Sequence, residues 1–238
     1  MFWRKTKAAI AGFHPLHQKL IHERTLSATM PASEWMSLVA SLSRHNALVR
    51  RRKWALPPRT ERVLVPLIRM LCEDAGGGRI GITADLRGRD APGKAGPRHS
   101  LPVQRPVRSA EQWWVWDSWL SVQAELRDGS VLRLAVTDVL RHRRITKVNP
   151  RGKWKRKTKT KGVQRIHTSR TLAKAQRHRQ PDRPPPPWIR VRPQQRSRMV
   201  IKASAKVPLP RESDELPLIT TVLTELFRWT PATRRRTA

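Results

Sequence analysis

Lys153, Lys155, Lys157, Lys159 and Lys161 occupy every second position of the stretch NPRGKWKRKTKTKG, residues 149 to 162. In an extended chain, side chains two apart point the same way, roughly 7 Å from one another. An ammonium row of that spacing matches phosphates along a nucleic-acid strand, and lysines that neutralise phosphates release counterions. Trp154, Arg156, Thr158 and Thr160 fall on the opposite side. Trp154, beside the turn, has two uses: packing at the ribbon tip, the plainer one, or stacking on an exposed base.

Asn149-Pro150-Arg151-Gly152 has the composition of a type I turn followed by a glycine bulge, which makes the lysine stretch the return strand of a hairpin. Pairing across it sets Lys147 opposite Lys155, Arg143 opposite Lys159 and Arg141 opposite Lys161. Like charges directly opposed destabilise a sheet. No acid occurs between Val139 and Pro181 to relieve them. An anionic partner is therefore expected, held by Arg141, Arg143, Lys147, Lys153, Trp154, Lys155, Lys157, Lys159 and Lys161. Edge lysines also discourage sheet-to-sheet aggregation, but one or two suffice for that.

Other residues that could do chemistry fall short of a site. His14, His17 and His22 cluster near the N-terminus, but no cysteine or acid completes a tetrahedral metal site, so they read as part of a solvated basic segment. Cys72 lies on an apolar helical face and reads as a structural thiol. Strict alternation places Asp117 and Asp138 near one another but on opposite faces. Asp128 reads as a turn residue, and Asp85 and Asp90 lie at a strand end and in the loop after it. None makes a pair for Mg²⁺. Gly76 to Gly78 lack the following Gly-Lys-Ser/Thr of a phosphate loop. No catalytic residue, metal or cofactor is expected, with a metal-dependent nuclease the nearest enzymatic alternative.

A formal charge of +33 weakens a compact state by self-repulsion and calls for an anionic counterpart. Nucleic acid, RNA slightly ahead of DNA, is the first reading. An acidic protein or anionic membrane surface is the second. A single cysteine excludes an intramolecular disulfide and fits a cytoplasmic location. The acid-poor N-terminal segment leaves organelle import as the alternative. No apolar run approaches the roughly 18 residues of a membrane span.

The elements that must position the lysines follow from periodicity. Residues 1–28 form a basic segment and 29–78 a helical one. Its first stripe is Trp35, Leu38, Val39, Leu42 and Val49, introduced by Pro31 and Ser33. The second is Val63, Leu64, Leu67, Ile68, Leu71 and Cys72, kinked by Pro66 and ended by Gly76. Residues 79–210 form an antiparallel β region, with a Gly/Pro/Arg linker over 87–112 and a proline-rich loop over 180–187. In WWVWDSWLSVQAELR, alternation puts Trp114 and Trp116 on the buried face with Leu120 and Val122, and Trp113 and Trp119 on the polar one. A three-residue loop of Arg127, Asp128 and Gly129 pairs Ala124 with Leu132, Val122 with Leu134 and Leu120 with Val136, joining two apolar faces. RMVIKASAKV is one more strand. Residues 211–238 hold a final helix, with Ser213 as its cap, and a basic tail. The expected class is α+β: an antiparallel meander with a long basic hairpin, preceded by two helices and followed by one C-terminal helix.

Overall fold

The computed structural model describes residues 2–148, 151–174, 176, 178–195 and 197–230. Among these, eight strands form a single antiparallel sheet. They are β1 (Thr25–Pro31), β2 (Arg79–Asp85), β3 (His99–Leu101), β4 (Val107–Glu125), β5 (Val131–Val148), β6 (Trp154–Thr171), β7 (Ile189–Gln195) and β8 (Met199–Pro208). The order is β1-β2-β4-β5-β6-β8-β7, and β3 pairs with β4 off that path. The helices are α1 (Phe2–Ala11), α2 (Pro15–His22), α3 (Ala32–Ser43), α4 (His45–Leu48), α5 (Val65–Ala75) and α6 (Glu215–Arg228). The protein is α+β, and the two helices expected before the sheet are α3 and α5. Residues 1–28 add α1, α2 and the start of β1.

Helices α3, α5 and α6 lay their apolar stripes on one face of the sheet. Trp35, Leu38, Val39 and Leu42 of α3 join Leu67, Ile68 and Leu71 of α5 and Ile219, Val222 and Leu226 of α6 in one core with the inner side chains of the strands. The Trp35 indole N–H donates to the Ile80 carbonyl at 2.9 Å, fixing α3 on β2. Val49 leaves the stripe of α3 and packs with Ile10, Phe13, Ile21 and Trp54 in a second cluster under α1 and α2. Pro66 cannot donate a backbone hydrogen bond inside a helix. The chain accommodates it by widening into a π turn over Thr60–Leu64 just ahead of α5. Gly76, in the left-handed region at φ +54°, ends α5.

The central hairpin has the expected register, with Ala124 opposite Leu132, Val122 opposite Leu134 and Leu120 opposite Val136. Its loop closes through Leu126 N–H to Ser130 O at 2.9 Å and Gly129 N–H to Leu126 O at 2.9 Å. Gly129 takes φ +76°, as the bulged turn requires. Asp128 accepts from the Ser130 backbone N–H at 3.0 Å and its hydroxyl at 2.6 Å. Burial pushes the Asp128 carboxyl up, but the Ser130 hydrogen bonds and the Arg170 charge outweigh it and hold the group below its ordinary range.

One irregularity redirects the outer half of β4. Between the pairs Asp117–Asp138 and Leu120–Val136, two residues of β4 oppose the single Thr137 of β5. This β-bulge at Ser118 and Trp119 interrupts the alternation. Between it and a second register shift at Arg108, odd-numbered residues of β4 lie on the helix side and even-numbered ones on the opposite side. Trp119 is therefore buried, while Trp114 and Trp116 are 39% and 49% exposed. That reverses the assignment from strict alternation. It also places Asp117 and Asp138 side by side on one face, both buried, rather than on opposite faces.

Other departures have local reasons. The expected linker over 87–112 contains β3 and the start of β4, because Pro97, Pro102 and Pro106 flank these strands instead of interrupting them. Strand β7 carries Pro193, tolerated because β7 is an edge. Ser213 does not cap α6; its hydroxyl donates to Asp214 at 2.9 Å, and Asp214 occupies the cap position. Asn149 and Pro150 of the second turn, and the basic tail from 231, lie outside the described residues. Among the described residues, no helix is long and apolar enough to cross a membrane.

Candidate nucleic-acid interface

The lysine strand belongs to a hairpin whose pairing follows expectation: Lys147 faces Lys155, Arg143 faces Lys159 and Arg141 faces Lys161. Directly paired residues share a face. All of these groups therefore project from the side of the sheet opposite the helices. Lys155, Lys157, Lys159 and Lys161 are exposed, as are Arg143 and Lys147. Lys153 is exposed just ahead of β6. Strand β8 reaches only as far as Val163, opposite Pro208, so the lysine-bearing part of β6 forms an edge of the sheet. The hairpin is not a free two-stranded ribbon, because β4 pairs with β5 out to Val107 and Lys147.

Trp154 stands apart from the lysines. It pairs with Val148 on the helix-side face and is 68% exposed, so it does not pack at the tip as the plainer reading had it.

Alternation missed the aromatics of the solvent face. The ladder Trp114, Arg141, Lys161 runs straight across β4, β5 and β6, and Trp116 lies one step further in, opposite Val139. The Arg141 guanidinium sits 5.9 Å from the Trp114 ring centre and that of Arg165 sits 5.2 Å from Trp116. The same face continues inward into an open concavity of about 610 Å³ lined by Arg133, His167, Arg190, Arg192 and Lys202 among others. Cations thus run from the hairpin tip to β7. Two clues could have found this in the sequence: the polar Asp117-Ser118 pair interrupting an otherwise apolar run, and four tryptophans within seven residues.

Behind this face lies a buried charge cluster. Arg59, just before the π turn, donates to Asp138 at 2.7 Å and to both oxygens of Glu215, at 2.9 Å from Nε to Oε2. Its guanidinium lies 4.2 Å from the Trp119 ring centre and 4.0 Å from Asp117. Arg89 donates to Asp138 at 2.9 Å. Lys94 bridges Asp117 at 2.7 Å and Asp85 at 3.1 Å, and Arg87 pairs with Asp85 at 2.8 Å. Four cations, Arg59, Arg87, Arg89 and Lys94, thereby balance four carboxylates, Asp85, Asp117, Asp138 and Glu215. Burial lowers the Arg59 pKa, but hydrogen bonds to Glu215 and the charge of Asp138 more than offset it, and the group stays above its ordinary value. Hydrogen bonds from Arg87 hold Asp85 well below the usual carboxylate range against a smaller burial effect. In the nuclease-like pair, Asp117 Oδ1 is held by Lys94 and Asp138 Oδ2 by Arg59 and Arg89, while Asp138 Oδ1 accepts from the Gln164 amide at 3.0 Å and Asp117 Oδ2 has no hydrogen-bond donor among the described residues. Among the described residues, no group of three or more His, Cys, Asp or Glu has metal-holding geometry.

Of the N-terminal histidines, His22 is exposed as expected and His14 half-buried, but His17 departs from the solvated reading. His17 is fully buried, stacked on Phe13 at 4.1 Å, and hydrogen-bonded to Ser41 Oγ and His45 Nδ1, each at 3.0 Å. His14 accepts the Leu16 N–H at 3.2 Å at the start of α2. Cys72 is half-buried, its thiol 3.5 Å from the Ala32 carbonyl, with burial raising its pKa. No protein family matches this chain, and no match is found among curated proteins or solved structures.

Proposed function

We propose that the protein binds nucleic acid non-enzymatically, holding backbone phosphates on the solvent face of the β5–β6 hairpin. The carrying observation is the exposed row Lys155 to Lys161, opposed by Arg141, Arg143 and Lys147, on a face whose paired strands contribute no acid there. RNA is favoured over DNA because the basic hairpin is not a free two-stranded ribbon: β4 stays paired with β5 out to Val107 and Lys147. A DNA major groove admits a helix or a two-stranded ribbon, whereas an open sheet face suits RNA contacts made through backbone and unpaired bases. A cytoplasmic location goes with this reading.

The test converts Lys153, Lys155, Lys157, Lys159 and Lys161 to Gln. Loss of up to five phosphate contacts should make the log–log salt dependence of binding shallower by up to about 4.5. Replacing Arg4, Lys5, Lys7, Arg50 and Arg52, exposed on the helical side, should do less. Sequence preference should barely move, since phosphate contacts carry little base information. Retention of the full salt slope and affinity by the Gln variant overturns the reading. So does equally tight binding to anionic liposomes that the Gln variant weakens to the same extent, which would make the face a general anion surface.

A further inference from the structure

We propose that the preferred ligand is single-stranded nucleic acid, laid along the outer half of the open sheet face with its bases stacked on Trp114 and Trp116. This rests on the nucleic-acid reading above and names the form of the ligand.

Tryptophan carries the largest apolar surface of any side chain, and its exposure on a bare sheet face leaves that surface unburied. Trp114 and Trp116 are 39% and 49% exposed, on the side away from the helices. They lie two residues apart on one strand, so their rings are spaced by roughly 7 Å, a step comparable to that between nucleotides in an extended strand. On β6, two strand spacings or about 10 Å away, Lys161 is level with Trp114 and the lysine row continues outward from there, Lys159 being level with Gln112. Arg141 of β5 lies between, bridging Trp114 to Lys161. Phosphates on the lysines would therefore direct bases back across β5 onto the indoles. Arg141 and Arg165, already over those rings, add planar cations to the platform. A duplex has its base faces occupied by stacking within the helix and could use only the lysines. Base–aromatic stacking tolerates any sequence, so the site should discriminate strandedness rather than sequence.

The experiment measures binding of short oligo-U, oligo-dT and an RNA duplex of equal phosphate count to the full chain. Wild type should prefer the single strands, with quenching of tryptophan fluorescence. A Trp114→Leu, Trp116→Leu variant keeps apolar residues on the strand. It should lose roughly 5- to 150-fold in single-strand affinity for each base that loses its platform, along with most of the quenching. Its duplex affinity and salt slope should be unchanged. A Trp114→Phe, Trp116→Phe variant should recover much of the loss, which a purely structural role would not require. Equal affinity for single strands and duplex, together with undiminished single-strand binding by the Leu variant, overturns this inference and leaves the phosphate-binding reading intact. Failure of all three nucleic acids to bind overturns both. Oligo-U against oligo-dT decides whether ribose is read.

Discussion

Replacing Arg59 with Met should destabilise the protein by roughly 3–5 kcal/mol, the range for removing one partner of a buried ion pair. The guanidinium is the only group that reaches both Asp138 and Glu215 among the cluster's cations, since Arg89 and Lys94 serve Asp138, Asp117 and Asp85. Asp138 keeps Arg89 and the Gln164 amide, at 3.0 Å. Among the described residues, Glu215 keeps only the Gln164 contact, at 3.4 Å, and is left a buried, uncompensated charge. Arg59→Lys should rescue little, because an ammonium cannot fork onto two carboxylates while stacking on Trp119. Adding Glu215→Gln to Arg59→Met should recover stability, with a coupling of about 0.5–3 kcal/mol. Urea titration of the four proteins reads this directly. A loss below about 1 kcal/mol for Arg59→Met would mean that the cluster is not a stabilising joint.

The cluster also bears on how a chain of +33 keeps the outer β5–β6 part of one face free of acids. Asp85, Asp117, Asp138 and Glu215 are committed to internal or edge cations. They tie the helical segment, the 87–106 loop and α6 to the centre of the sheet. The bulge at Ser118 and Trp119 sends Asp117 inward and brings Trp114 and Trp116 out. Seating two residues of β4 opposite Thr137, instead of strict alternation of the same sequence, thus accounts both for the charge joint and for the aromatic part of the proposed platform. Deleting Ser118 would leave Asp117 opposite Asp138 and Trp116 opposite Val139 but would set Trp119 opposite Thr137, turning its indole from the core to the solvent face, a consequence of the two-residue period.

This explains what could be read from the chain alone. The β4–β5 register was legible because Val122, Ala124, Leu132 and Leu134 alternate without interruption and Gly129 supplies the positive φ. The lysine pairing followed from the same rule, and the stripes of α3 and α5 from helical period. The bulge was only weakly legible: the Asp117-Ser118 pair interrupts the apolar run, but WWVWDSWL also accepts continuous alternation. The charge joint depends on Arg59 meeting Asp138 and Glu215 across 79 and 156 positions, contacts no local pattern encodes. Strands β1 and β7 are short edges ending in or containing Pro31 and Pro193, which read as breaks. His17 found its partners 24 and 28 positions away, so its burial was equally hidden.

That burial makes the protein acid-labile well above the carboxylate range. Burial, then the neighbouring His45 and His14, lowers the His17 pKa from 6.5 to about 4. Burial also lowers His45, against opposing contributions from Glu61 and the Trp54 backbone. A histidine kept neutral in the fold but free to protonate when unfolded makes the unfolded state bind more protons between those values. Stability is then complete above about pH 6.5 and falls with decreasing pH down to about 4. His17 alone should remove about 2.5 kcal/mol between pH 7.5 and 4.5, with His45 adding in the same direction. Lowered carboxylates such as Asp85 and Asp128 act in a lower window, beneath their unfolded values near 3.8, and do not confuse it. Urea midpoints across this range should show the fall in the wild type. His17→Gln, which gives up the stack on Phe13, should start less stable but lose distinctly less on acidification. A His17→Gln variant with the full wild-type pH slope would show that the acid sensitivity arises elsewhere and that the buried His17–His45 pair does not govern it.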